Sequence, residues 1–256
     1  MAKFAPNISW LFPELPFNQR PEAVAEAGFS ALEFGFPSHA DIDAIADIQE
    51  RFGLDVVLFN QDVPVWDGAN RGYLVDPARR VEFKHTLEDA LDIIRRLKVQ
   101  KLMLPAGVEL ASMRREAQRE CMLENLQYAA PLAEQAGVIF TIEMLNSIDN
   151  PGYFLASTSE GLEIVAELNH PHIKFQLDTY HVQRMEGNVT KTLVENMPHI
   201  GHIQFADVPG RHEPGTGELN FENIEAAARC AGYQGYIGLE YIPRAEGIAA
   251  LAWCRA

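Results

Sequence analysis

Basic residues are scarce in this chain of 256: 21 Lys and Arg stand against 36 Asp and Glu, a formal net charge of −15. That balance argues against a nucleic-acid surface, which needs a basic face to displace counterions from phosphates. It gives no long-range pull on an anion either, so an acidic substrate must be held by local cations. Cysteines are few as well. Cys121, Cys230 and Cys254 are odd in number and widely spaced, without a CxxC pair or zinc-finger spacing. A disulfide framework is thereby excluded, and free thiols suit a reducing cytoplasm. No run reaches the roughly 18 apolar residues of a membrane-spanning helix. Met1 to Trp10 has no sustained apolar stretch or cleavage site of the kind a signal peptide carries. A soluble, cytoplasmic protein with no membrane or nucleic-acid partner is expected. There is no linker rich in Pro, Gly or Ser and no low-complexity tract, so one domain over 1–256 is expected.

What is present is a repeated unit: a helical pattern, a glycine break, then a short apolar strand. Gly28 precedes Ala31–Phe36, Gly53 precedes Leu54–Phe59, Gly137 precedes Val138–Glu143, and Gly232 lies shortly before Tyr236–Glu240. Glycine just past a helix end accepts the left-handed backbone that stops the helix. Phe4–Ser9, Lys101–Pro105, Ile173–Asp178 and His202–Ala206 complete a set of eight strands. Between them, Phe83, Leu87, Leu91, Ile94 and Leu97 form one helical stripe, and Met122, Leu126, Ala129 and Ala133 another. Ser157-Thr-Ser-Glu160 reads as a capping box. Eight strands alternating with helices in about 250 residues predict an α/β fold, a single (β/α)8 barrel. An open doubly wound sheet is the weaker reading, because no GxGxxG or GxxxxGKS-type loop follows the first strand. The longest loops, Gln61–Asp76, Asn146–Ala156 and Val208–Asn220, all follow strands. They would therefore sit on the carboxyl face, where such barrels do their chemistry.

Strand five ends in Glu143, strand six in Asp178 and strand eight in Glu240, while strand seven carries Gln204. A carboxylate at the end of an apolar strand is costly to bury unpaired. For one alone, an Arg or Lys partner is the simplest account. Three converging on one opening repel each other unless a cation sits among them, and the nearby strands offer few basic residues. A divalent metal is the economical answer, and an all-oxygen set suits Mg²⁺ or Mn²⁺ better than Zn²⁺. His181, three residues past Asp178, can move protons near neutrality or serve structure. Arg211, in the loop after strand seven, matches a substrate carboxylate or pairs with Glu213 or Glu218. Asn7, Glu33 and Asn60 end the first three strands and either line the pocket or cap loop backbone. Trp10, Phe12 and Trp66 form an apolar wall or simply pack.

The segments Phe4–Phe12, Ala31–Pro37, Gln176–Gly187, Gly201–Glu218 and Gly235–Tyr241 resemble the hydroxypyruvate isomerase family of the xylose-isomerase-like barrels, over essentially the whole chain. The motifs after strands six and seven are the most specific. The resemblance implies Glu143 and Glu240 as the proton donor and acceptor, and Glu143, Asp178, Gln204 and Glu240 as metal positions. It implies isomerisation of hydroxypyruvate to tartronate semialdehyde; His181, Arg211, Asn7 and Asn60, read from their places at the strand ends and in the loops, are the expected contacts of a small hydroxy-oxo acid. Relatives are often dimers or tetramers, which points to a homo-oligomer. In related ketose epimerases the position of Gln204 is usually His, and a neutral amide is a weaker ligand. Leu58–Trp66 departs from the familiar family wording in a loop that shapes the pocket. A 2-oxo-tetronate isomerase and a ketose 3-epimerase are the nearest alternatives. A DNA-repair endonuclease on this barrel would carry several His ligands and a basic groove; a polyol dehydratase and a non-catalytic sugar-binding barrel are the remaining rivals.

Overall fold

A computed structural model describes residues 3–254; the two residues at each end of the expected 1–256 domain lie outside the described residues. Eight parallel strands form one sheet: β1 (Phe4–Pro6), β2 (Ala31–Glu33), β3 (Asp55–Asn60), β4 (Lys101–Met103), β5 (Ile139–Glu143), β6 (Ile173–Asp178), β7 (Ile200–Phe205) and β8 (Ile237–Leu239). Their order, β1-β8-β7-β6-β5-β4-β3-β2, wraps the sheet into a nearly closed barrel. Phe4 pairs with Ile237, so the first strand is laddered to the last. The β1–β2 seam is joined by a single bridge, Asn7 to Glu33, and by the Ile8 amide donating to the Glu33 carbonyl at 2.9 Å. All eight expected strands are present, most of them shorter than read from sequence.

The helices are α1 (Arg20–Glu26), α2 (Ile42–Phe52), α3 (Arg80–Leu97), α4 (Arg115–Ala136), α5 (Thr158–Leu168), α6 (Thr179–Met185), α7 (Val189–Glu195) and α8 (Phe221–Cys230). Strand β6 is followed by two short helices, and β8 by a 3-10 turn, Gly247–Cys254, instead of a full helix. Gly53 and Gly137 end α2 and α4 in the left-handed region, at φ 68° and 70°. The expected stripes face inward: Phe83, Leu87, Ile94 and Leu97 of α3 are buried, with Leu91 half-buried. Only half of the capping box forms. Ser157 accepts from the Glu160 amide, but the Glu160 carboxylate turns to Arg115 at 2.6 Å, an ion pair stronger than a reach back to backbone.

The main apolar core lies between the sheet and the helices, around Phe34, Phe59, Phe83, Phe140, Phe154 and Phe175. Inside the barrel the filling is divided. Ala5, Ala31, Val57 and Met103 form a small apolar cluster from β1 to β4. Thr141, Gln176, His202 and Gln204, from β5 to β7, are buried polar side chains. Burial of that many polar groups is tolerable only if each is hydrogen-bonded. The three long loops rise from the carboxyl ends of β3, β5 and β7, as expected. Arg71 ties two of them, donating to the Asp67 carbonyl (3.0 Å) and to Asn150 (2.9 Å). No described helix is long and apolar enough to cross a membrane.

Candidate active site

Side chains on a strand alternate in direction, so residues two apart share a face. Thr141 and Glu143, Gln176 and Asp178, and His202 and Gln204 therefore all turn inward, with the carboxylates uppermost. Above them opens a cavity of about 1010 Å³. Glu143, Glu240, His181, Arg211 and Asn60 line it, together with Trp10, Phe36, Trp66, Tyr180 and Arg184. The two glutamates expected to share one cavity do so. Asn7, Asp178 and Gln204 do not line it: they lie beneath, buried, Asn7 against Glu240, Asp178 against Arg211, and Gln204 against Gln176 and Glu33.

The basic partner sought on neighbouring strands comes from a loop. Arg211 Nη2 lies 3.1 Å from Asp178 Oδ2 and 2.8 Å from Glu240 Oε2, and pairs with neither Glu213 nor Glu218 among the described residues. Its guanidinium also lies over the rings of Trp10 and Tyr180, at 4.7 and 5.4 Å. Its backbone sits at φ 56°, a strained setting for a non-glycine residue that the surrounding loop must impose. That loop is built on Asp207, a fully buried carboxylate that sequence reading passed over. Asp207 accepts the backbone amides of Val208 (2.8 Å), Gly215 (3.1 Å), Gly217 (2.8 Å) and Leu219 (3.1 Å). Its signal was an acid directly after a strand and ahead of a glycine-rich turn, the usual setting for an Asp that organises loop backbone.

Glu240 accepts from the Trp10 indole N–H at 3.1 Å, so Trp10 is a donor to the site as well as part of its wall. Glu143 Oε2 accepts from Gln176 at 3.0 Å, while Oε1 is buried with no hydrogen-bond partner. Burial, then Glu240 and Asp178, hold the Glu143 carboxyl well above the usual carboxylate range. Burial raises Glu240 too, but Arg211 opposes it. Burial also disfavours the Arg211 charge, yet Glu240, Asp178 and Glu143 more than offset it, and the guanidinium stays protonated.

His181 has a defined tautomer. Its Nδ1 accepts from the Asn146 backbone amide at 3.1 Å, so the ring proton resides on Nε2. Burial, then Arg211 and Arg184, push its pKa well below 6.5, and the ring is neutral. Nε2–H points toward Asp178 Oδ2 (3.6 Å) and Glu143 Oε1 (4.0 Å). A nitrogen bearing a proton donates and does not ligate, so His181 presents an N–H donor at the cavity.

The residues fit a hard divalent cation. Carboxylate oxygens of Glu143 and Asp178 lie within 4.8 Å of one another, and the partnerless Glu143 oxygen is the kind of atom a cation satisfies. Gln204 accepts from Gln176 at 2.8 Å and donates to Glu33 at 2.7 Å, which turns its oxygen to the Glu143 side.

The same groups link stability to pH. Burial pushes Asp178 and Glu33 up to about 7 from ordinary values of 3.8 and 4.5. The folded protein thus holds protons that the unfolded chain releases. Their contribution to stability is complete below about pH 4 and is lost as pH rises through about 7. The melting temperature of chelator-treated protein is expected to fall from about pH 5 to about pH 8, and Asp178→Asn, which preserves the N-cap, to flatten the fall. A level or rising profile would contradict the burial argument.

The xylose isomerase-like TIM barrel family model matches residues 21–256. The chain is 39% identical to the 2-oxo-tetronate isomerase of Cupriavidus necator, covering 100% of this chain and 98% of that relative. It is 34% identical to the hydroxypyruvate isomerase of Escherichia coli K12, covering 99% and 98%. The crystal structure of a Brucella melitensis protein titled AP endonuclease, family 2, superposes with a TM-score of 0.95 at 36% identity, covering 100% and 98%. The chain belongs to the xylose isomerase-like TIM barrel family and, within it, to the hydroxypyruvate isomerase family.

Proposed function

We propose that this protein interconverts hydroxypyruvate and tartronate semialdehyde by proton transfer through an enediolate. The observation that carries the reading is the pair of glutamates on one cavity, held in unequal surroundings. Environments that push two carboxyl pKa values apart assign the base and the acid. Glu240, beside Arg211 and Trp10, ionises first and takes a proton from the hydroxymethyl carbon. The electron pair moves to the carbonyl, making an enediolate. Glu143, which holds its proton to higher pH, delivers it to the neighbouring carbon, while the hydroxyl proton passes from one substrate oxygen to the other. No net oxidation occurs, and proton exchange with solvent then unloads Glu240 and reloads Glu143, so that atoms and protons balance over the cycle.

His181 Nε2–H and the Arg211 guanidinium face the cavity where the negative oxygen develops, and one such donor contributes about 10²–10³-fold. Arg211 is also the cation for the substrate carboxylate, and Asn60 a polar contact on the β3 side. A divalent ion, Mg²⁺ or Mn²⁺, held by Glu143 and Asp178 would supply Lewis-acid stabilisation of charge on the substrate oxygens, while the other two expected ligands are engaged elsewhere, Glu240 by Arg211 and Gln204 by Gln176 and Glu33.

The cavity volume favours a second reading. About 1010 Å³ exceeds the needs of a three-carbon acid, and the aromatic wall of Phe36 and Trp66 lies beyond the carboxylates. A 2-oxo-tetronate fits the same chemistry with one further carbon. Purified protein incubated in deuterated water with hydroxypyruvate, 2-oxo-tetronates and ketoses, with EDTA or added Mg²⁺ or Mn²⁺, separates these readings by NMR. Isomer formation with deuterium at the carbon beside the carbonyl is expected for an acid and not for ketoses. Absence of exchange into every compound would reject isomerase and epimerase alike.

A further inference from the structure

Three buried ionisable groups have no part in the proton transfers proposed above: Lys101, His202 and Glu33. They form a string along the barrel interior. Lys101 opens β4 at the amino end, its Nζ 3.0 Å from His202 Nδ1 and 3.4 Å from Tyr233 Oη. A lysine nitrogen donates to Nδ1, which places the His202 proton on Nε2. That proton goes to Glu33 Oε2 at 2.8 Å. Glu33 Oε1 accepts from Gln204 Nε2 at 2.7 Å and Asn7 Nδ2 at 3.1 Å. The barrel makes room for this carboxylate: a Cβ on Gly238 would stand 2.4 Å from Glu33 Oε2.

The string has a direction. Oε1 faces both amides, and above about pH 7, where Glu33 is ionised, the carboxylate only accepts, so it takes the N–H end of each. The Gln204 oxygen is thereby turned to Gln176 Nε2, at 2.8 Å, and Gln176 in turn holds Glu143 Oε2 at 3.0 Å. Gln176 cannot reverse without loss, because its own oxygen accepts from Thr141 at 3.0 Å. On the other side Asn7 shares its amino group between Glu33 and Glu240 Oε1, at 3.5 Å, with its oxygen fixed by the Ser9 amide at 3.1 Å. Both cavity glutamates are therefore tied to one carboxylate through amides.

We propose that Glu33, backed by His202 and Lys101, is a positioning residue for the isomerisation: it orients Gln204 and Asn7, and through them fixes Glu143 and Glu240. The proposal rests on the acid–base roles given to those two glutamates. Amide side chains do not titrate, so the string holds geometry and does not conduct protons. Misplacing a reacting group by about 1 Å costs on the order of 10²-fold in rate.

Glu33→Gln keeps the shape and removes the obligate acceptor. The expected result is a fall in kcat of about 10²-fold with KM within about threefold of wild type. Lys101→Met, remote from the cavity, is expected to lower kcat about tenfold with KM unchanged, through the freed His202 tautomer. Side-chain amide resonances of Asn7 and Gln204, assigned with Asn7→Asp and Gln204→Glu, should lie downfield in wild type and move upfield in Glu33→Gln. Wild-type kcat in both variants, or unmoved amide resonances, would overturn the proposal. If Glu33→Gln does not fold, Lys101→Met decides by the same split between kcat and KM. A wild-type protein that exchanges no proton with any acid would defeat the proposed reaction instead, and the amide resonances would still judge the positioning role.

Discussion

Glu143→Gln and Glu240→Gln each lower kcat by about 10³-fold or more while the protein stays folded. General acid–base help alone is worth about 10²–10⁴-fold, and each substitution removes one of only two glutamates on the cavity wall among the described residues. The fold survives because the amide is isosteric. In Glu143→Gln the new amide oxygen would still accept from Gln176, and in Glu240→Gln it would still accept from the Trp10 indole. Glu143 already holds its proton, so the melting temperature of Glu143→Gln should hold, whereas Glu240→Gln loses its pair with Arg211 and should melt lower while still folded at assay temperature. The two variants differ in a further respect. With hydroxypyruvate in deuterated water, Glu143→Gln retains the base and should still wash deuterium into the hydroxymethyl carbon without forming product. Glu240→Gln should do neither. The double variant should be little worse than either single one, since groups that act as a unit are not additive. Near-normal turnover in either single variant would remove that residue from the chemistry.

Asp207→Ala is the second large effect. Four backbone amides of the β7 loop converge on this one carboxylate. Stranding buried donors costs about 1–3 kcal/mol each, and water reaching the loosened loop recovers part of it. A net loss of about 3 kcal/mol, or roughly 6–12 °C in melting temperature, is expected. Activity should fall further than stability implies, because Arg211 keeps its left-handed backbone and its grip on Asp178 and Glu240 only while the loop holds shape. A drop of about 10²-fold in kcat/KM, measured well below the melting temperature, is the expected readout. Gly217→Ala tests the same loop by another route, since its Cβ would lie 2.0 Å from the Val208 carbonyl oxygen. Retention of kcat/KM within about threefold in both variants would show that Arg211 finds its place without this scaffold.

The fold was legible because each strand carries a local signal, a short apolar run bounded by a helix stop. The carboxylates were legible because a charged residue at the end of such a run is costly and therefore conspicuous. What stayed hidden was partnership. Arg211 was visible as a loop cation, but its bond to Asp178 and Glu240 depends on a turn that folds the loop back over the barrel mouth. His181 was visible as a histidine, but its tautomer depends on the Asn146 amide, thirty-five positions away. Polar residues inside strands, such as Gln176 and His202, read as interruptions of an apolar pattern and only acquire a purpose when the barrel closes. Gln204 and Asn7, expected at the substrate or metal, lie one layer lower, where side chains two residues apart on neighbouring strands meet.

Phe4 and Ile237 lie side by side in the sheet, although almost the whole chain separates them. On the ribosome β1 is the first of the eight strands to emerge and its ladder partner the eighth. Until then its exposed edge has no mate, and closing so large a loop carries the highest entropy cost in the molecule. Productive folding thus hinges on late emergence of β8, and a nascent chain stalled before it is the form most in need of chaperone cover.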